Sequence, residues 1–183
     1  EAEVTTDQRQ QAKAVNFGII YGIAGWGLAK QLGCSAEEAH AFIRKYLDTF
    51  HEIETFMEVQ KDFARKLEYV QTLFGRKCYT PNINAKQQNI RMGAERAAIN
   101  APLQGTAADI MKKAMIKIPG TLMKAGLKAK MLLQVHDELI FEVPESELED
   151  TVVLAKDVME NIAKLDVPLI VETGYGKSWA EAH

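Results

Sequence analysis

With 183 residues, 47% of them hydrophobic, the chain is long enough to bury a real core, in one domain or two small ones. No run approaches the roughly 18 to 20 uninterrupted apolar residues of a membrane span, and the opening EAEVTTDQRQQ is too polar for a secretory signal, so a soluble, cytoplasmic, globular protein is expected. The net charge of −3 argues against a polyanion partner only until it is divided by segment: residues 61–130 carry fourteen basic and four acidic side chains, residues 131–183 three and twelve.

In chain order, Thr6 is read as the cap of a helix with Asp7 in its first turn, running through QRQQAKAVNFGIIY until Gly22 and Gly25 interrupt it. Ser35 with Glu38 forms a capping box, and Ala39, Phe42, Ile43, Tyr46 and Leu47 continue it as an amphipathic helix. A further helix covers about 51–67. YVQTLFGRKCYTP then reads as a short hairpin around Phe74 and Gly75. Helical composition resumes from about Gln87 to Asn100, breaks at Pro102, and restarts near Gly105 for a run to about Ala125.

The +10 segment at 61–130, with Lys61, Arg65, Lys66, Arg76, Lys77, Lys86, Arg91 and Arg96, has the charge to neutralise several phosphates; solvated helix faces are the alternative. From Ala129 the apolar period changes to two: Met131, Leu133 and Val135 on one run, Leu139, Phe141 and Val143 on the next. The runs meet at His136 and Asp137, residues suited to a tight turn, and Pro144 ends the second. A helix over about 145–164 and a last strand, VPLIVET, complete the reading. Cys34 and Cys78 stand apart with no CxxC or Cys/His cluster, which fits reduced thiols rather than a disulfide or a zinc site.

Two patterns carry chemistry. Arg9, Lys13, Phe17 and Tyr21 are four apart, one above the other along a helix face. Two cations at that spacing repel unless an anion lies between them. The rings that follow offer flat surfaces for a sugar and a base, and base–aromatic stacking contributes about 1–3 kcal/mol per base. The order along the stripe is that of a nucleoside triphosphate; an ordinary core stripe is the competing reading. Gly18 and Gly22 weaken the helix by about 1 kcal/mol each, which close passage of a ligand or template along the backbone would explain. In the second pattern, Asp137 and Glu138 adjoin at a strand turn inside an apolar stretch, where carboxylates need water or a metal. Carboxylates that hold two magnesium ions serve phosphoryl transfer; a solvent-exposed acidic turn is the alternative.

The string RQQAKAVNFGIIYG resembles the fingers motif R-x-x-x-K-x-x-x-F-G-x-x-Y-G of family A, bacterial polymerase I-type, DNA polymerases, and QVHDELIFE resembles their C-terminal metal-binding motif. The resemblance covers essentially the whole chain. It implies that Arg9 and Lys13 hold the incoming triphosphate, Phe17 packs on its sugar and Tyr21 stacks beside the templating base. It makes Asp137 a magnesium ligand, Glu138 an auxiliary carboxylate and metal ligand, and His136 a contact to the primer end or a structural histidine. Asp137, Glu138 and Lys13 form the implied catalytic set. Gln10 stands where many relatives have a second arginine. AERAAINAPLQGTAAD is similar to the segment facing the primer–template minor groove, so Arg96, Asn100 and Gln104 are candidate DNA contacts, with Pro102 shifting the last out of line.

The implied fold is α+β and mainly helical: a fingers-like helical region over 1–86, with its short hairpin near 69–81, and a partial palm over 87–183 containing the HDE hairpin, a C-terminal helix and a strand. The implied reaction is attack of a primer 3′-hydroxyl on the α-phosphate of a deoxynucleoside triphosphate, in DNA replication and repair. No D-Y-S-Q-I-E-L-R-like segment is present to supply the other metal-binding aspartate. The chain is therefore expected to be catalytically incomplete by itself, to need the N-terminal part of the polymerase, and to self-associate through an exposed sheet edge. A single-subunit RNA polymerase, or a non-catalytic DNA-binding or helical interaction module, are the alternatives.

Overall fold

The computed structural model describes residues 4–182, apart from the side chains of Asp7 and Gln11. The chain divides into two compact units, residues up to Gly105 and residues from Thr106. These packing units do not coincide with the fingers-like and palm-like regions expected to meet at 86/87, which rest on motif identity rather than on packing.

The first unit opens with α1 (Thr6–Ile20). Its cap is Thr5, one residue before the expected Thr6: the Thr5 hydroxyl accepts from the Gln8 N–H at 3.2 Å, and the Gln8 side chain accepts from the Thr5 N–H at 3.0 Å. Gln8 sits three residues after Thr5, and that reciprocal spacing selects the cap. At the other end Gly22 takes φ +73°, the Gly22 N–H donates to Ile19 O and the Ile23 N–H to Gly18 O, a Schellman closure that no β-carbon would favour.

Immediately after comes α2 (Gly25–Leu32), an element not anticipated from the sequence. Its first residue is glycine and its cap, Ala24, makes no side-chain bond, so the usual signals are missing. Leu28 and Ala29 nevertheless carry it into the core with Val15 and Ile19 of α1 and Ala39 of α3 (Ala36–Thr49). Ser35 and Glu38 form the expected capping box, at 3.2 and 2.9 Å. Hydrogen bonds from the Ser35 backbone and side chain hold the Glu38 carboxyl below its ordinary range.

Helix α4 (His51–Leu67) leads into β1 (Tyr69–Gln71) and β2 (Lys77–Tyr79), the expected hairpin. Helix α5 (Gln88–Lys124) runs without the break expected at Pro102 and the restart near Gly105. An interior proline removes one donor and crowds the carbonyl four residues earlier, costing about 3 kcal/mol. Here Ala94, Ala98, Ile99 and Pro102 are all buried, and that packing outweighs the local penalty. Gly105 serves contact rather than termination, because a β-carbon there would stand 2.6 Å from Thr72 Cγ2 and 3.5 Å from Cys78 Sγ of the hairpin region.

In the second unit, Ala114, Ile118 and Leu122 of α5 form a core with Val158 of α6 (Leu148–Glu160), joined by Leu139 and Phe141 of β4 (Glu138–Glu142). Strand β3 (Lys130–Val135) pairs antiparallel with β4, but the register slips between Met131 and Leu133. Leu132 is therefore a bulge residue, and the strict two-residue alternation expected for this run fails: Leu132 and Leu133 are both exposed. The helix expected over 145–164 is a 3₁₀ turn at Glu145–Glu147 followed by α6, which stops at Glu160. Asn161 ends it by turning its amide to Asp157 O and Oδ1, both at 3.0 Å.

The expected strand VPLIVET does not form. Pro168 has no N–H to give, no described strand pairs with the segment, and Val171 N–H instead donates to Glu160 Oε1 at 2.9 Å. A short helix, α7 (Trp179–Ala182), follows unanticipated. The fold class is the expected one, α+β and mainly helical, and the described strands make two separate two-stranded antiparallel sheets. Cys34 and Cys78 are free thiols.

Candidate functional site

Helix α1 is two-sided. Val15 and Ile19, four apart, are 7% and 2% exposed in the core, whereas Arg9 and Lys13 are exposed and Phe17 is 45% exposed on the other side. The competing reading of the stripe as core is thus excluded for Arg9, Lys13 and Phe17. The Phe17 and Tyr21 rings stack, with centroids 5.9 Å apart and planes at 25°. Neither Arg9 nor Lys13 forms an ion pair among the described residues. Two solvated cations, about one and two turns before a stacked ring pair, can receive an anion joined to a flat group.

Gly18 within this helix and Gly22 just beyond it do not lie open to a ligand, contrary to the sequence reading. A β-carbon at Gly18 would meet Ile23 Cγ2 at 3.4 Å, and one at Gly22 would meet Arg96 Cγ at 3.3 Å and Ile99 Cδ1 at 3.7 Å. Gly22 is required by its positive φ and by the α5 side chains that cover it. The contact brings Arg96 against the end of α1 beside Tyr21, an arrangement that spacing along the sequence gave no means of finding.

On α5 the unbroken helix keeps Arg96, Asn100 and Gln104 at four-residue spacing, so Gln104 is not turned away by Pro102 as expected. Arg96 and Gln104 are exposed and Asn100 is half-buried. Among the described residues, the Asn100 Oδ1 atom is buried with no hydrogen-bond partner. Nearby in sequence, Glu95 accepts from Arg65 Nη2 at 2.9 Å, and that bond raises the Arg65 pKa above its ordinary value.

In the second unit the tip of the β3–β4 hairpin is His136 and Asp137, as expected. His136 takes φ +53°, a left-handed conformation that costs a non-glycine residue about 1 kcal/mol or more. The Gln134 amide braces the turn by donating to His136 O at 2.9 Å. Asp137 is exposed and Glu138 half-buried. Two carboxylates are oxygen donors of the hard class that magnesium takes, so the donor set fits that ion in kind. It falls short in number: among the described residues no group of three or more His, Cys, Asp or Glu stands together as a metal site.

Comparison with known proteins bears on both units. Residues 1–181 match the family model described as DNA polymerase family A. The chain is 48% identical over 181 residues to DNA polymerase I of Pseudomonas aeruginosa, covering 99% of this chain and 20% of that protein. It is 50% identical over 180 residues to DNA polymerase I of Bacillus subtilis, covering 98% and 20%. Among solved structures, the POL domain of Pol1 from M. smegmatis, in complex with DNA primer-template and dNTP, superposes with a TM-score of 0.95 at 45% identity, over 98% of this chain and 32% of that one. The chain spans about a fifth of the length of these curated relatives. A stripe of cations and rings on one helix, a carboxylate-tipped hairpin and a match along 181 residues lead to one assignment: the chain belongs to DNA polymerase family A.

Proposed function

We propose that the chain forms the nucleotide-binding part of a template-directed DNA polymerase, one that joins a deoxynucleoside triphosphate to a primer 3′-hydroxyl with release of pyrophosphate. The observation that carries this reading is the exposed face of α1, where Arg9 and Lys13 precede the stacked Phe17 and Tyr21 while Val15 and Ile19 anchor the reverse side. Arg9 and Lys13 bind the triphosphate, with Lys13 also facing charge that develops as pyrophosphate leaves. Phe17 supports the sugar and Tyr21 stacks beside the template base. Arg96, Asn100 and Gln104 donate to acceptors common to all correct base pairs in the minor groove. The solved Pol1 complex with primer-template and dNTP supports these partners.

Asp137 and Glu138 would hold magnesium, which when bound supplies positive charge to the reacting phosphate oxygens. His136, presented at the turn, contacts the primer end. Because the hairpin offers two adjacent carboxylates, a complete two-magnesium site takes further carboxylates from the larger polymerase, and this chain alone is expected to bind triphosphate without sustained turnover. The fingers-like and palm-like regions divide near residue 86 on the motifs, and the proposal extends to service in bacterial DNA replication and repair in the cytoplasm. No helix among the described residues is long and apolar enough to cross a membrane. The edges of β3 and β4 have no third strand among the described residues, so pairing between copies is part of the proposal.

Titration of the chain with a fluorescent dNTP tests it. Lys13→Ala should weaken binding at least about tenfold, the loss of one charge-assisted phosphate contact. Equal affinity of Lys13→Ala and the unsubstituted chain would overturn the assignment of α1. Sedimentation across a wide concentration range tests self-association, and a monomer throughout would remove it.

A further inference from the structure

The α1 face works only if the helix is held at one rotation about its axis, because at 100° per residue a slip of one position moves Arg9 and Lys13 by more than a quarter turn. Val15 and Ile19 resist such rotation through packing, which is non-directional. Among the described residues, one directional bond reaches the helix from a neighbour: the Tyr46 hydroxyl of α3 donates to Asn16 Oδ1, a side-chain contact across 30 positions of sequence. Asn16 lies around the helix about 20° from Arg9 and about 60° from Ile19, on the border between the cationic face and the core face. The Tyr46 ring is itself fixed, half-buried against the α1–α2–α3 core and tilted on Phe50 at 4.9 Å between centroids.

We propose that Tyr46 is a positioning residue for triphosphate binding: through Asn16 it locks the rotation of α1 that presents Arg9 and Lys13 side by side. The inference rests on the α1 assignment made above and adds a residue that touches no nucleotide. Tyr46→Phe removes the hydroxyl and keeps the ring, so the core with Phe50, Ile43 and Leu47 survives. Rotational freedom spreads the two cations and penalises a ligand that needs both.

The test uses the whole chain, with dATP and dAMP as ligands, well below the melting temperature. Tyr46→Phe should weaken dATP binding about fivefold, the loss of one hydrogen bond, and should lower the preference for dATP over dAMP. Asn16→Ala should give a similar loss, and the double variant should be no worse than either single one, since both remove the same contact. A fall in dATP and dAMP affinity by the same factor would overturn the proposal, as would additive losses or unchanged affinity in both single variants. Lys13→Ala in the same titration separates the two levels: if it is without effect the α1 assignment fails, whereas a strong Lys13→Ala effect beside a silent Tyr46→Phe removes the positioning role alone.

Discussion

The α1 face and the β3–β4 tip present their charged groups by opposite means. On α1 a regular helix repeats about every four residues, so a buried pair, Val15 and Ile19, turns Arg9, Lys13 and Phe17 outward, and the Tyr46–Asn16 bond trims that rotation. At the hairpin nothing repeats; Asp137 is aimed by a single strained residue, His136 at φ +53°, and by one side-chain brace from Gln134. Periodicity makes the first site tolerant of small backbone errors. The second depends on local conformation, and a one-residue change of register would carry Asp137 to the other side of the ribbon.

Five substitutions probe this contrast. The largest effects belong to the cores: Leu28→Ala and Ile118→Ala, each at a fully buried position, should each cost about 3 kcal/mol in urea denaturation. If the units are separately supported, Leu28→Ala should also weaken dNTP binding while Ile118→Ala leaves it intact; the reverse pattern would show that the α1 face does not depend on its own core. Next, Gly22→Ala should destabilise by about 1–2 kcal/mol, since alanine must adopt a positive φ against the Arg96 stem.

His136→Gly runs the other way. It should raise stability by about 1 kcal/mol, a few degrees in a melting curve, by relieving the left-handed strain. Smallest is Ser35→Ala, which removes a helix cap and should cost about 1 kcal/mol or less. Its effect carries a pH signature. The Glu38 carboxyl is held below its unfolded pKa first by the Ser35 backbone N–H, which alanine keeps, and then by the Ser35 hydroxyl, whose bond contributes above that unfolded value and is lost as pH falls through the folded one. The difference between Ser35→Ala and the unsubstituted chain should therefore shrink on acidification below about pH 4.5, and a constant difference down to pH 2 would assign the cap to the hydroxyl alone.

What the sequence disclosed follows the same division. The Ser35–Glu38 box, the α4 span, both hairpins and the α1 stripe were legible because each rests on residues close in sequence, although the bulge at Leu132 breaks the alternation expected of β3. Three misreadings have one cause, tertiary context overriding local signals. VPLIVET has β-favouring side chains but no strand to pair with among the described residues, and β propensity without a partner fixes nothing. Pro102 and Gly105 look like a helix break, yet burial and contact with the hairpin carry α5 through them. Gly18 and Gly22 read as openings for a ligand and are covered by Ile23 and Arg96. Helix α2 was invisible because it begins on glycine without a capping side chain, and the Tyr46–Asn16 bond because no local rule links positions 30 apart.

The bare α-carbon of Gly105 against the Thr72 methyl has a consequence for how these two positions can vary. Alanine at 105 would collide with Thr72 Cγ2 at 2.6 Å, and that methyl is the one atom serine lacks. Gly105→Ala and Thr72→Ser should therefore form a compensating pair, the first poorly accepted by itself and accepted again once the second has made room, so that the identity of a residue in a turn is dictated from the middle of a helix.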